Sequence, residues 1–577
     1  MRKTYKGKEY CTHLIRRSYR EGGKVCQETI ANISDLPQEA VEIIRYILKG
    51  EVFVPVDQAM ETIRSRSHGH VVAVRKMLHE SGLLKMIAKT PTSRRNIIEA
   101  LIIARILKPQ TKLATNRWWH TTTLPEIMGV EDVDVDDIYD AMDWLVGQQK
   151  KIEHALATRH LENGSLVLYD VSSSYYEGSC CSLAEYGYNR DKKKGKRQIV
   201  YGLMADSAGR PVSVKVYPGA TSDIDTLQDQ IDTLKKSFGL DEVVLAVDRG
   251  MISNVKIETL KELGGIDWVT ALRANSIKSL VKKGHIQPSM FDQKDLMEIY
   301  SEDYPGERLV VCRNPYLALE RTRKRQELLL ATERELEKIV KRVAAGRLVA
   351  ESKIGEALGR VVNKFKMAKH FELDIGKGRF SYRRCEESIA MEEALDGFYV
   401  LRTSVPEEKW PKEDVVRGYK SLSRVEKGFR TLKGVNLRIR PIHHRLEERV
   451  EAHIFLCTLA YYVEWHLRET WKELLFDDEH PGEHEHGSPV LPACRSEGAL
   501  HKASTRQNGK NPVHSFATLL EELGTIQCNE NWIPAIPEIP SFFQFTKPNE
   551  IQKEALGCLG IDGDKLPGRQ KNNLKSL

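Results

Sequence analysis

Two short apolar runs in this chain each lead into an acid: "LVLY" into Asp170 and "VVLAV" into Asp248. Runs of that length, rich in β-branched residues, read as strands buried within a sheet. A carboxylate at the end of a buried strand is costly unless a cation or several hydrogen-bond donors receive it. If the two strands are neighbours in one sheet, Asp170 and Asp248 meet at its edge, where a divalent metal would satisfy both. This pair of acids limits what the chain can fold into more than any other feature.

The elements around them set the fold class. From Gly164 onward, "SLVLYDV" reads as a strand, and "RQIVYGLMAD" and "RPVSVKVYPG" as a hairpin pair turning at "SAG". "SDIDTLQDQIDTLKKSFG" reads as a helix, "EVVLAVDRG" as a strand, "SNVKIETLKELGG" as a helix and "DWVTALR" as a strand. Three strands followed by helix, strand, helix and strand describe an α/β protein with a mixed sheet, in the order expected of a ribonuclease H-like core.

At 577 residues the chain exceeds the size at which one hydrophobic core keeps growing. Six regions are expected. Residues 1–54 form a β-hairpin region, from "YCTHLIRRSYREGGKVCQETIANI", and 55–160 a mainly helical, DNA-binding region, from "RRNIIEALIIARIL" and "DDIYDAMDWLVGQQKKIEHALATRHL". Residues 161–275 hold the first part of the core. A mixed α/β insertion spans 276–415, with "ERTRKRQELLLATERELEKIVKRVAAG" as a solvated helical hairpin and "RFSYRRCEESIA" and "DGFYVLRTS" as strand-like pieces. The core's C-terminal helices fill 416–475, and 476–577 reads as linkers, "FDDEHPGEHEHGSPVLP" and "ASTRQNGKNPVHS", and a frayed tail, "GRQKNNLKSL".

Net charge is only +7, but the basic residues cluster, which points to a polyanionic partner. The ten cysteines contain no CxxC pair, which fits reduced thiols better than a disulfide framework or a zinc site. No run approaches eighteen apolar residues and "MRKTYKGKEY" lacks the apolar run of a signal peptide, so a cytoplasmic protein without a membrane segment is expected.

The densest basic cluster is "YKSLSRVEKGFRTLKGVNLRIRPIHH", residues 419–444, with seven Lys or Arg residues and one carboxylate, Glu426. Leu422, Val425, Phe429 and Leu432 recur at the spacing of an apolar helical stripe. Tyr419, Glu426 and Lys433 stand seven apart and form a second stripe beside it, which places Glu426 at the margin of the core. Lys420, Arg424, Lys427 and Arg430 fan outward. Alone, Glu426 reads as half of an exposed pair with Arg430. Set beside Asp170 and Asp248, it completes three hard oxygen donors suited to Mg2+ or Mn2+. Two such ions could activate an attacking oxygen and stabilise the leaving oxygen of a phosphodiester, with the surrounding cations on the DNA backbone. Rival acids have simpler readings. Asp206 in "ADSAGRP" belongs to a turn and Asp223 caps the helix that starts near "SDIDTL". The histidines of "EHPGEHEHG" read as a solvated linker cluster.

At these residues the sequence resembles the DDE transposases of the insertion-sequence 4 superfamily, and within it the insertion sequence 1634 group. The resemblance is carried by "LYDVSSSYYEG", "GYNRDKKKGKRQIVYGL", "GATSDIDTL", "LAVDRGMIS", "EALDGFYVLRTS" and the segment holding Glu426. It implies Asp170, Asp248 and Glu426 as catalytic residues and ligands of two Mg2+ ions, with Mn2+ able to substitute. It also implies DNA contacts from Tyr419, Arg424, Lys427, Arg430 and Lys433. The superfamily's signature places Tyr, then Arg three on, Glu seven on and Lys fourteen on; Tyr419, Glu426 and Lys433 match, while Leu422 occupies the Arg position and Arg424 is a substitute. The implied activity is cleavage at transposon terminal inverted repeats and joining to target DNA, by a homodimer in a synaptic complex. A structure-specific nuclease of the same fold, or a catalytically idle DNA-binding descendant, would share much of this sequence.

Overall fold

The computed structural model describes residues 2–5, 8–51, 53, 59–252, 254–291, 294–482, 487–534 and 538–566. The chain divides into two units, a smaller one drawn from 1–67 and 526–547 and a larger one from 68–525 and 548–566.

The larger unit is built on an eight-stranded sheet. Its strands are β1 (Leu166–Tyr175), β2 (Gln198–Ala205), β3 (Pro211–Tyr217), β4 (Val243–Val247), β5 (Ile266–Ala271), β6 (Leu296–Ile299), β7 (Arg308–Arg313) and β8 (Phe398–Thr403). Their order across the sheet is β6-β7-β8-β5-β4-β1-β2-β3. β1 pairs antiparallel with β2, and β2 with β3. β4 runs parallel to both β1 and β5. The remaining three strands continue antiparallel from β5. Every residue of β2 and of β4 is buried, which is why their sequences run apolar without alternation.

Helices α1 (Val135–His160), α2 (Asp223–Asp232), α3 (Asn254–Leu263), α4 (Pro315–Ala344), α5 (Glu351–Phe365), α6 (Lys412–Lys420), α7 (Leu422–Lys433) and α8 (Glu447–Thr470) surround the sheet or extend from it. α1 begins with a capping box in which Asp134 and Asp137 satisfy each other's backbone N–H groups. α8 packs on α1, on β3 and on the helices Gly69–Glu80 and Ser93–Leu107. Its near-continuous burial, from Ala452 to Glu464, explains its weak amphipathic pattern. α7 lies across β1 and β2, with the Phe429 ring 5.8 Å from that of Tyr201.

Several expectations need correction. The stretch 276–415 is not one insertion: it gives β6, β7 and β8 to the main sheet. The part that stands off the sheet is α4 and α5 with the hairpin Phe371–Gly376 and Arg379–Arg384. It is more than a solvated hairpin, because Leu329, Leu336, Ile354, Phe371 and Phe380 form a core of its own. "RFSYRRCEESIA" is a strand only to Arg384, after which Glu386–Glu393 is a helix. Within 55–160, Glu61–Ser67 is a strand, and the described helices begin at Gly69.

The region 476–577 is not a string of linkers. It contains the helices Glu497–Thr505, Phe516–Gly524 and Glu550–Gly557, and the second of these buries Phe516, Leu519, Leu520 and Leu523 and packs on Gly69–Glu80. The tail "GRQKNNLKSL" lies outside the described residues.

In the smaller unit, Leu14–Glu21 pairs with Lys24–Asn32 about a Gly22–Gly23 turn in which both glycines have positive φ. Glu61–Ser67 pairs with Gln527–Trp532, which in turn pairs with Phe542–Phe545. The ten cysteines are free thiols. Among the described residues no helix is long and apolar enough to cross a membrane.

Candidate active site

Asp170 lies within β1 rather than at its end, opposite Leu203 of β2. On the other side, Tyr169 pairs in parallel register with Val247, the last residue of β4. Asp170 and Asp248 therefore take the next position on two adjacent strands, one inside the sheet and the other just past it. Asp170 Oδ1 accepts the Val171 N–H at 2.7 Å and Asp248 Oδ1 accepts the Arg249 N–H at 2.6 Å. The Asp248 carbonyl accepts the Thr270 hydroxyl at 3.1 Å, which ties the turn after β4 to β5.

Glu426 comes from α7. That helix buries Leu422, Val425, Phe429 and Leu432 against the sheet, and Glu426 is exposed beside them. The charges of Asp248 and Glu426 both reach Asp170. Burial pushes the Asp170 carboxyl up to about 7; the Val171 N–H opposes this, the charge of Asp248 adds to it, that of Arg190 opposes it and that of Glu426 adds to it. Asp170 is thus an acid held half-buried between two like charges.

Tyr419 faces the same cluster. Burial raises its hydroxyl to about 12, and Asp248, Glu426 and Asp170 push it the same way against Arg249. It does not share a helix with Glu426, as the seven-residue spacing suggests, because Ser421 separates α6 from α7.

The donor chemistry fits a hard divalent cation. Asp170, Asp248 and Glu426 offer only carboxylate oxygens, and a cation among them would relieve both their repulsion and the burial of Asp170. As the side chains stand, no group of three or more His, Cys, Asp or Glu residues among the described residues could hold a metal ion.

The basic residues of this segment separate into two kinds. Lys427 and Arg430 are exposed, with Lys427 3.5 Å from Asp477. Arg424 is exposed too, but its guanidinium donates to the Ser207 carbonyl. Lys420 does not fan outward: its ammonium donates to the carbonyls of Val490 and Leu491 at 2.9 and 3.1 Å. Lys433 turns inward to Asp191 at 3.3 Å.

Asp191 and Arg190 are residues that sequence reasoning passed over, since in "NRDKKKGK" they read as part of a charged loop. The Asp191 side chain is 1% exposed and receives the Tyr175 N–H at 3.0 Å, Lys433 and the Arg440 guanidinium. Arg190 pairs with Asp223, and its charge reaches Asp170. Asp223 is accordingly not the cap of its helix; Ser222 holds that position. Asp206 is buried in its turn, accepting the Ala208 and Arg210 N–H groups and the Arg210 side chain. His484 and His486 of "EHPGEHEHG" lie outside the described residues.

A mixed sheet with acids on two adjacent strands and a third acid on a helix packed across it is the frame on which the family match falls. The chain belongs to the DDE transposase family: residues 138–463 match the transposase DDE domain, and residues 1–54 match the N-terminal domain of IS1634 family transposases. Among solved structures, a piggyBac transposase synaptic complex with hairpin DNA, determined by cryo-EM, is similar at 10% identity and a TM-score of 0.33. The similarity covers 79% of each chain. No curated protein matches the chain.

Proposed function

We propose that this transposase cleaves DNA at the ends of its element and joins them to target DNA, with Asp170, Asp248 and Glu426 as its catalytic carboxylates. The observation that carries the reading is the placement of Asp170 and Asp248 at the same level of the adjacent strands β1 and β4, with α7, which carries Glu426, packed across β1. The strand order β3-β2-β1-β4-β5, antiparallel across the first three and parallel across the rest, supports a ribonuclease H-like core. The three strands beyond β5, and α4 and α5 with their hairpin, are then additions carried between β5 and α7.

Asp170, Asp248 and Glu426 would hold Mg2+, two ions per site, with Mn2+ able to substitute. When bound, such ions lower the pKa of an attacking oxygen and stabilise the leaving oxygen of a phosphodiester. The chain's own residues position the substrate. Tyr419 closes one side of the acid cluster with its hydroxyl protonated at neutral pH. Arg190, fixed by Asp223, brings positive charge to the sheet edge. Lys427 and Arg430 are exposed beside Glu426 and would take backbone phosphates, which position DNA without reading its sequence. The helices within 69–160 would recognise the terminal inverted repeats, in a synaptic homodimer working in the cytoplasm.

The test uses linear DNA carrying the element's own ends. Asp170→Asn, Asp248→Asn and Glu426→Gln should each abolish cleavage while DNA binding persists. Mg2+ should raise the melting temperature of the wild type and not of the variants, as expected when an ion binds only the folded state. Full cleavage by any one variant removes that acid from the site.

A further inference from the structure

A second basic site lies at the far end of β1 from Leu166, away from the three acids. It is a pocket of about 830 Å3 whose walls include Arg105, Lys112, Tyr175, Arg440, His444 and His453. Arg105 and Lys112 are only 5% and 3% exposed, and among the described residues no carboxylate pairs with either. Burial first and the Arg105 charge second lower the Lys112 ammonium to about 7, with the Cys457 thiol acting the other way. The same two cations act on His444 and His453. His453 donates its Nε2–H to the Ile439 carbonyl at 2.9 Å, while its buried Nδ1 has no partner among the described residues.

Two acids that meet residues of the pocket wall are engaged there, Asp143 with Arg449 and Asp191 with Arg440 and Lys433. Burying two cations side by side without a counter-charge destabilises a fold unless an anion completes the site. A pocket of this size lies in the range that takes a nucleotide-sized group rather than a bare ion.

We propose that this pocket receives one phosphate of a DNA strand, held by Lys112 and Arg105, at a site separate from the three carboxylates. The proposal rests on the reading of the chain as a DNA-handling enzyme, and the position of the pocket favours a strand over a free anion. Tyr175 stands five residues along β1 from Asp170, roughly 17 Å at the rise of a strand. Lys433 is seven residues along α7 from Glu426, roughly 10 Å, and Arg440 follows it into the pocket. The rim residues Arg438 and Arg445 are exposed, so a strand passing the acids meets further positive charge on its way in.

The experiment measures binding of a fluorescein-labelled 20-nucleotide single-stranded DNA to the full chain in EDTA, across a range of KCl concentrations. Because no metal is present, the result is independent of whether the three acids are catalytic. Lys112→Met should weaken binding about tenfold and make the salt slope less steep by about 0.7, the loss of one single-strand phosphate contact. The same variant should melt at a higher temperature than wild type, since an uncompensated buried cation is gone. Arg105→Gln, read the same way, stands in if Lys112→Met does not fold. Inorganic phosphate at low salt should raise the melting temperature of wild type and not of Lys112→Met. Unchanged DNA affinity and slope in the folded variant overturn the proposal. If phosphate stabilises only the wild type while DNA affinity is unchanged, the pocket serves a free anion and the DNA assignment falls.

Discussion

Lys433 donates to Asp191 across 3.3 Å, although 242 residues separate them in sequence. The contact, with Arg440 on the same carboxylate, fastens the loop after β1 to the C-terminal end of α7, the helix that carries Glu426. Removing the buried acid leaves two cations unpaired. Asp191→Ala should cost about 3–5 kcal/mol, the usual consequence of breaking a buried pair from one side. Lys433→Ala should cost less, because Arg440 still meets Asp191. Urea unfolding of the two variants measures the difference, and equal small losses would show that Asp191 does not hold this junction.

Asp170 gives the protein a pH dependence of definite sign. Its carboxyl is raised to about 7 by burial first, against an unfolded value near 4. Between those values the folded state binds the extra proton, so stability falls as pH rises from about 4 through about 7, by about 1.4 kcal/mol per unit at most. Asp170→Asn should remove that slope and be relatively more stable at pH 8. Thermal melts of both proteins from pH 4.5 to 8.5, in EDTA, test this; parallel curves would place the raised pKa elsewhere.

β2 and β4, beside the acids, were legible because each is buried on both faces and so reads as an apolar run. Asp170 and Asp248 stand out against those runs, and Glu426 stands out as the one acid of a basic helix. What the sequence hid depends on distant pairing. Nothing in "DGFYVLRTS" says that β8 enters the main sheet between β7 and β5, residues 266–271, and not beside the hairpin Phe371–Gly376 and Arg379–Arg384 that precedes it. Asp191 looks like any charge in a lysine-rich loop until Lys433 and Arg440 arrive from the other side. The break at Ser421 is invisible to a helical wheel, since Ser421 itself keeps helical φ and ψ. The helix Phe516–Gly524 was lost behind a polar stretch, "ASTRQNGKNPVHS", that reads as a linker.

Gly202 makes a sharper test of the sheet beneath the acids. It pairs with Val171 on β1, and a Cβ placed on it would stand 2.2 Å from the Tyr169 hydroxyl and 2.7 Å from the ring. Tyr169 is fully buried and immediately precedes Asp170. Gly202→Ala should therefore displace that ring and cost about 1–3 kcal/mol, as overpacking does, and reduce DNA cleavage by shifting Asp170. Gly195, with open space around its Cβ position but a φ of +71°, is a comparison outside the sheet: Gly195→Ala should carry only local strain and leave cleavage nearly intact. A stable, fully active Gly202→Ala would mean that the ring can move without disturbing the acid.

The C-terminal region allows the last test, because its helices are part of the larger unit's core. Phe516, Leu519, Leu520 and Leu523 are buried on one helix that packs against Gly69–Glu80. Farther on, the Trp471 indole N–H, at the end of α8, donates to the Ala555 carbonyl at 2.9 Å. Burying four such side chains is worth about 6–12 kcal/mol. That is comparable to the entire stability of an ordinary domain. A chain ending at Thr505 should consequently be insoluble or melt without a cooperative transition, even though every residue of the proposed catalytic site is retained. A chain ending at Leu566 keeps all of these contacts and should melt as the full-length protein does. Differential scanning calorimetry of the two truncations against full length separates the cases. A cooperative melt at the full-length temperature for the shorter chain would show that residues 506–566 are dispensable for the fold of the larger unit.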